Sequence, residues 1–164
     1  MGIGAIIAAL VSLIALVFTI RQNNNVKYLE FIKNVDEEFS NHLEKENSLK
    51  DREECLVYAY NYIDICDRIL FLIKRHKVPQ EFYDYYLDFF NYAITIMWWY
   101  SKIYPEDKHS LETSWPSITQ WIYEKKGTPY PFMHLPKVMK DQLDGKGVDE
   151  NSIFKELKKI LKSE

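Results

Sequence analysis

Residues 82–100 read "FYDYYLDFFNYAITIMWWY", and this stretch decides the fold. Pro79 suits the first position of a helix, where its missing N–H has no partner to lose. Pro105 ends the same helix, because the residue before a proline is disfavoured in the helical conformation. The stretch holds more apolar residues than one buried face requires. It therefore predicts the central helix of a bundle, covered on two sides.

The same stretch is too interrupted to cross a membrane. Asp84, Asp88, Asn91 and Lys102 break its apolar character. The part that is nearly free of strongly polar groups, residues 92–100, is far shorter than the roughly 20 residues that a spanning helix needs. This stretch is therefore predicted to be part of a protein core.

Two tryptophans stand side by side at the end of this stretch. Adjacent positions on a helix point about 100° apart, so Trp98 and Trp99 enter one groove only if the helix is covered on two sides. One ring is expected to meet the core, and the other either the segment around Trp115 or a partner. Aromatic residues make up 15% of the chain, which core filling explains most simply. Because Trp and Tyr also favour interfaces, Trp98, Trp99 and Trp115 are candidate protein-interface residues.

The remaining sequence predicts further helices. Apolar residues recur every three or four positions over residues 26–43 and 56–73, and a shorter helix runs from Pro116 towards Gly127. A last amphipathic helix is expected at about residues 149–162. No stretch has the alternation of a strand. The chain is therefore predicted to be all-α, with a membrane-proximal helix at residues 23–47 and a bundle of about four to five helices within residues 48–164.

The first 22 residues are predicted to be a single transmembrane anchor. Residues 3–20 contain no charged side chain, and Ser12 and Thr19 are the polar members of this stretch. About 18–20 such residues are enough to span the hydrocarbon core. A cleaved signal peptide is disfavoured, since no positive residue precedes the stretch and the apolar run is long. The lipid bilayer is therefore an expected partner.

The charges that flank the anchor predict its orientation. No side-chain charge precedes it, whereas Arg21, Lys27 and Lys33 follow closely. Positive residues near a span stay on the cytoplasmic side. The N-terminus is therefore expected outside the cell membrane and the C-terminal domain in the cytoplasm.

Small residues recur along one face of the predicted anchor. Gly4, Ala8 and Ser12 are spaced every four residues, which lets another helix approach closely. Self-association or packing against the span of a partner is one interpretation. The other is that Gly and Ala are simply common in membrane helices.

Charge and cysteine content exclude several classes of protein. The 21 basic and 24 acidic residues are interspersed and give a net charge of -3, so nucleic acid is not an expected partner. Cys55 and Cys66 lie eleven residues apart in one predicted helix. That spacing separates them by roughly 16 Å, too far for a disulfide. Free cysteines agree with a reducing compartment.

The sequence contains no complete catalytic, nucleotide-binding or metal-binding motif. Neither a Gly-rich phosphate loop nor a CxxC pair occurs, and no cofactor is predicted. Glu106 with His109 is a lone Glu-x-x-His pair in a polar connector, whereas di-metal bundles need two such pairs on facing helices. Glu38 with His42 is expected on a solvated helix face. No metal site is therefore predicted.

One polar element inside a predicted helix is a candidate ligand site. Asn61, Tyr62 and Asp64 lie within the stretch "YAYNYIDICDRI". Asn61 and Asp64 share a helix face, so they form a buried polar pair, a ligand-binding pair, or an exposed strip in which Arg68 pairs with Asp64. The sequence leaves these three alternatives open.

A family resemblance adds to this interpretation. Residues 61–64 (Asn-Tyr-Ile-Asp), the basic connector at residues 74–77 and the Trp98-Trp99 pair are similar to elements of an uncharacterised family of prokaryotic single-pass membrane proteins. The resemblance implies an anchor followed by a cytoplasmic helical domain of unknown function. It implies no known activity and identifies no functional residues.

These observations favour a non-enzymatic, membrane-tethered helical domain that binds another protein, for example as an accessory subunit of a membrane complex. The anchor and the densely apolar helix at residues 82–100 are the features that favour it. The alternative is a ligand-binding or enzymatic bundle that uses a polar pocket between helices around Asp64.

Overall fold

The computed structural model describes residues 26–75, 81–124, 128–129, 131, 134–144 and 153–162. These residues form helices and their connections, and none of them is in a strand. The predicted all-α class is therefore confirmed. The predicted anchor at residues 1–22, with Gly4, Ala8 and Ser12, lies outside the described residues. Within the described ranges, no helix combines the length and the apolar character that crossing a bilayer requires.

Seven α-helices occur in the described part of the chain. The first, α1, covers residues 26–46. It is followed by α2 (Arg52–Lys74), α3 (Glu81–Ile103), a 3-10 turn (Pro105–Asp107), α4 (Lys108–Ser114), α5 (Pro116–Tyr123), α6 (Lys137–Asp141) and α7 (Ile153–Lys162).

The chain divides into two compact units, Met1–Glu38 and Phe39–Glu164. The described part of the first unit, residues 26–38, is helical. The second unit contains the end of α1 and all the other helices. The predicted domain boundaries after residues 22 and 47 stay predictions.

Helix α3 lies at the centre of the second unit. All ten residues from 92 to 101 are buried, so no side of this part of the helix faces solvent. Helix α2 packs against α3 and α5, while α7 packs against α3, α4 and α5. A helix that is apolar on every side is stable only when neighbours surround it. The prediction that residues 82–100 belong to a central helix is therefore confirmed.

The two adjacent tryptophans of α3 point to different neighbours. The Trp98 Nε1–H donates to a carboxylate oxygen of Glu156 on α7 at 2.9 Å. The Trp99 Nε1–H donates to the backbone carbonyl of Met139 on α6 at 3.1 Å. Both rings are completely buried. The expectation that two sides of the helix are covered therefore holds.

The burial of the tryptophans corrects the prediction that they form a docking surface. Trp115 is buried as well and packs against the rings of Tyr60 and Tyr100, with centroids 4.7 and 6.2 Å away. Because all three indoles are enclosed by this chain's own helices, none offers surface to a partner in the folded domain. Rings that point about 100° apart can also both lie in the core when the helix is covered on two sides. In this structure both Trp98 and Trp99 lie in the core.

Asp67 on α2 caps the N-terminus of α5. Its carboxylate accepts hydrogen bonds from the backbone N–H groups of Ser117 at 2.7 Å and Ile118 at 2.8 Å. The residue at the N-cap position, Trp115, supplies no side-chain cap. Burial raises the pKa of Asp67, and the two N–H groups lower it in part. A residue of another helix thus satisfies the free N–H groups of α5.

Replacing Asp67 with alanine is expected to lower the free energy of unfolding by about 1–2 kcal/mol, the usual cost of losing a helix cap. Asp64, three residues earlier on the same helix, is exposed, so Asp64→Ala is the matched control and should cost roughly 0–1 kcal/mol. Urea unfolding followed by circular dichroism measures both. Equal losses for the two variants would contradict the capping role.

Candidate functional site

An open groove lies between the end of α1, the connector after it and the first half of α2. It encloses about 400 Å³, a size typical of small ligand sites. We call it the His42 groove, and it is lined by His42, Lys45, Ser48, Leu49, Glu53, Glu54, Val57, Tyr58 and Asn61.

Local hydrogen bonds fix the connector that forms one end of the His42 groove. The side chain of Asp51 caps α2 by accepting a hydrogen bond from the Glu54 N–H at 2.9 Å. The Glu54 carboxylate in turn accepts one from the Lys50 N–H at 2.7 Å. This reciprocal arrangement resembles a capping box and satisfies two backbone donors. The hydroxyl of Ser48 donates to the carbonyl of Lys45 at 2.8 Å, which closes the preceding turn.

His42 is the most unusual residue of the groove. Its side chain is 6% exposed and stacks on the ring of Tyr58, with centroids 4.1 Å apart. Its Nε2 atom has no hydrogen-bond partner in the described structure. Burial, with a smaller contribution from the charge of Lys45, lowers the pKa of His42 to about 4, although a hydrogen bond to the Tyr58 backbone opposes the shift. The imidazole is therefore neutral at pH 7.

The contribution of His42 to the stability of the domain should fall as the pH is lowered through the range from about 6.5 to 4. The pKa of His42 is lower in the folded state than its ordinary value of 6.5, so the unfolded chain takes up the proton first and gains from acidification. We expect a loss of about 1–3 kcal/mol over this range. Urea unfolding at several pH values measures it.

The control for this prediction is His42→Phe, which keeps a ring against Tyr58 and cannot take up a proton. Glu46 remains in both proteins, and burial raises its pKa. Protonation of Glu46 therefore stabilises the folded state as the pH falls. Because this happens equally in the wild-type protein and in His42→Phe, the effect cancels when their pH dependences are compared. Identical pH dependences for the two proteins would contradict the buried, neutral state of His42.

A second, smaller cavity of about 210 Å³ lies between α1, α2, α3 and the segment at residue 134. We call it the Tyr62 cleft. Two carboxylates and three aromatic rings belong to it, and its lining residues are Glu46, Tyr62, Asp88, Phe89, Tyr92 and His134.

Hydrogen bonds of the tyrosines connect the surroundings of the two cavities. The Tyr58 hydroxyl donates to Glu46 at 3.2 Å, and the Tyr92 hydroxyl donates to the carbonyl of His134 at 3.3 Å. Burial raises the pKa of Tyr58, Tyr62 and Tyr92, so all three phenols stay protonated. The tyrosines act here as neutral hydrogen-bonding groups.

The structure separates the three predicted ligand-binding residues. Asn61 is exposed and lines the His42 groove, whereas Tyr62 is buried and lines the Tyr62 cleft. Asp64 is exposed and lines neither cavity. Because adjacent helix positions point about 100° apart, Asn61 and Tyr62 enter different spaces. Asp64 is therefore exposed, as in the third alternative, but no ion pair with Arg68 is formed among the described residues.

His42 differs from its sequence-based expectation. It was predicted to lie on a solvated helix face, yet it is buried. A signal was present in the sequence, since His42 and Glu46 continue the three- and four-residue spacing of the apolar stripe after Phe39. Leu43, the last apolar residue of the stretch 26–43, is 41% exposed instead.

The described residues contain no group of three or more His, Cys, Asp or Glu side chains that could hold a metal ion. Cys55 and Cys66 are free and buried, and burial raises the pKa of both thiols. A high pKa keeps a thiol protonated and unreactive. Neither cysteine is therefore suited to be a nucleophile.

Comparisons of the chain with protein-family models, with curated proteins and with solved structures found no match. The resemblance to an uncharacterised family of single-pass membrane proteins stays a prediction.

Proposed function

We propose that this chain is a membrane-tethered helical domain that binds a segment of another protein in the His42 groove, as an accessory subunit of a membrane complex. It has no catalytic activity of its own in this proposal. The observation that carries it is an open groove lined by an exposed apolar side chain, Val57, and by the buried imidazole of His42, whose Nε2 atom has no hydrogen-bond partner among the described residues. Buried polar atoms without partners are rare in native proteins. A ligand that forms a hydrogen bond with the Nε2 atom of His42 is therefore favoured.

The tether is the N-terminal segment. The eighteen uncharged residues 3–20 have the length of a membrane span, and the basic residues after them favour a cytoplasmic domain. In this proposal the face of Gly4, Ala8 and Ser12 packs against the span of a partner or of a second copy. The groove would then bind a protein that is confined to the same membrane.

The shape and charge of the groove favour a protein segment as the ligand. On α2 the lining extends from Glu53 to Asn61, nine residues that span about 12 Å along the helix axis. An extended segment of three to four residues has the same length. Lys45 and Glu53 contribute opposite charges to the lining, and Leu49 and Val57 supply apolar surface. A segment with both signs of charge and an apolar side chain complements this lining.

The proposal predicts that Val57→Lys prevents association while the domain stays folded. Val57 is 55% exposed, so the substitution should change stability by no more than about 0.5 kcal/mol. A charge in the centre of the groove should weaken binding at least about tenfold. The measurement is the amount of each partner that co-purifies with full-length protein in a mild detergent.

The matched control is Phe71→Lys. Phe71 is also on α2, is 44% exposed and does not line the groove. It should retain the proteins that Val57→Lys loses. Equal retention by both variants, or equal loss, would contradict the assignment of the groove as the binding site.

A further inference from the structure

We propose that the Tyr62 cleft binds a small organic ammonium ion, with the carboxylates of Glu46 and Asp88 neutralising its charge and the surrounding aromatic rings contacting its alkyl groups. This site is separate from the His42 groove and does not depend on the function proposed for that groove.

The charge of the cleft favours a cation. Glu46 and Asp88 both line it, and no Lys or Arg is among the lining residues. Asp88 is exposed and forms no hydrogen bond or ion pair with the other described residues. Burial raises the pKa of Glu46, which means that its charged form is poorly solvated there. The positive charge of Lys140 lies close enough to lower the pKa of Glu46 in part. A cationic ligand would therefore compete with Lys140 for the carboxylate of Glu46.

The aromatic residues of the cleft suit an organic cation. The rings of Tyr62 and Tyr92 are perpendicular, at 89°, with centroids 5.2 Å apart, and Phe89 is a third ring in the lining. Ammonium groups are attracted to the faces of aromatic rings, and cages of such rings are a common way to bind alkylated ammonium ions. A bare metal ion would instead need several oxygen or nitrogen ligands, and the described residues contain no such group of three.

The hydroxyl of Tyr62 is available to a ligand. The side chain is 1% exposed and lines the cleft, yet its hydroxyl makes no hydrogen bond within the described part of the chain. The hydroxyls of Tyr58 and Tyr92, in contrast, are both used as donors. An ammonium N–H would provide the donor that the Tyr62 oxygen lacks.

The cleft is small. Its volume of about 210 Å³ is about half that of the His42 groove, which suits a short alkylammonium ion or a trimethylammonium group.

The test is a titration of the full-length protein in detergent micelles with butylammonium and with choline, followed by calorimetry at constant ionic strength. The neutral analogue of choline, 3,3-dimethylbutan-1-ol, has the same shape without the charge. We expect at least one cation to bind and the neutral analogue to bind at least about tenfold more weakly.

Two variants locate the site. Asp88→Asn removes an exposed charge, and Tyr62→Phe keeps the ring and removes the hydroxyl, so both should fold. Asp88→Asn should weaken the binding of either cation several-fold. Tyr62→Phe should weaken the binding of butylammonium several-fold, because the trimethylammonium group of choline has no N–H to donate to the Tyr62 hydroxyl. Asp84→Asn is the matched control, because Asp84 is an exposed acid one turn earlier on α3 that does not line the cleft.

Three results would overturn the proposal. The first is that neither cation binds the wild-type protein. The second is that the neutral analogue binds as tightly as choline. The third is that Asp88→Asn weakens binding no more than Asp84→Asn does. Because none of these results involves Val57 or a partner protein, they leave the function proposed for the His42 groove unaffected.

Discussion

Replacing Trp99 with alanine should lower the free energy of unfolding by about 3–5 kcal/mol, the range found for large aromatic residues removed from protein cores. The ring is completely buried, and its N–H is bonded to the carbonyl of Met139. The substitution therefore leaves a cavity beside α3 and an unpaired carbonyl. Since most domains are stable by about 5–15 kcal/mol, a large part of the stability should be lost. Urea unfolding of the full-length chain in micelles measures this effect.

Two further variants make this result specific. Trp98→Ala should be destabilising to a similar degree, because Trp98 is equally buried and bonded to Glu156. Tyr85→Ala is the control on the same helix, since Tyr85 is 59% exposed and should cost no more than about 0.5 kcal/mol. If Trp99→Ala is no more destabilising than Tyr85→Ala, the central position of α3 is wrong.

The proposed anchor predicts that deleting residues 1–21 converts the protein from membrane-bound to soluble. The full-length protein should remain in the membrane pellet after a carbonate wash, because an apolar helix of that length inserts in an effectively irreversible way. The truncated protein should appear in the supernatant with its helical circular dichroism spectrum intact. A reporter fused after Glu164 should behave as cytoplasmic in the full-length protein.

Point substitutions in the same segment give a sharper version of this experiment. Leu13→Arg places a charge near the middle of the predicted span, which costs about 2.5–3.5 kcal/mol on insertion scales. It should reduce membrane retention, and Leu13→Ala should not. The anchor proposal fails if carbonate extracts the full-length protein, or if the mature protein lacks residues 1–20.

The hydrophobic pattern was sufficient to predict α3 but not the end of α1. A helix that is apolar on all sides has to be central, whatever its neighbours are. After Phe39, in contrast, both His42 and Leu43 lie one turn further along the helix, and hydropathy favours burying Leu43. The structure buries His42, because Tyr58 provides a ring for it to stack on. That pairing depends on how α1 meets α2, which the pattern of α1 alone does not contain.

The candidate site was predictable only in part. The polar element in α2 identified Asn61 and Tyr62, both of which line cavities. It did not reveal that the two residues enter different cavities. The groups that complete each site come from distant parts of the sequence. Tyr92, for example, bonds to the carbonyl of His134, 42 residues away. Without the packing of the helices, these partners cannot be assigned.

The most direct test of the central claim is photocrosslinking from the His42 groove in intact membranes. A photoreactive amino acid is placed at position 57 in one full-length protein and at position 71 in another, and the products are separated by size and identified by mass spectrometry. We expect a discrete adduct with a second, membrane-associated protein from position 57 and no such adduct from position 71. Adducts of the same protein from both positions, or none from position 57, would contradict it.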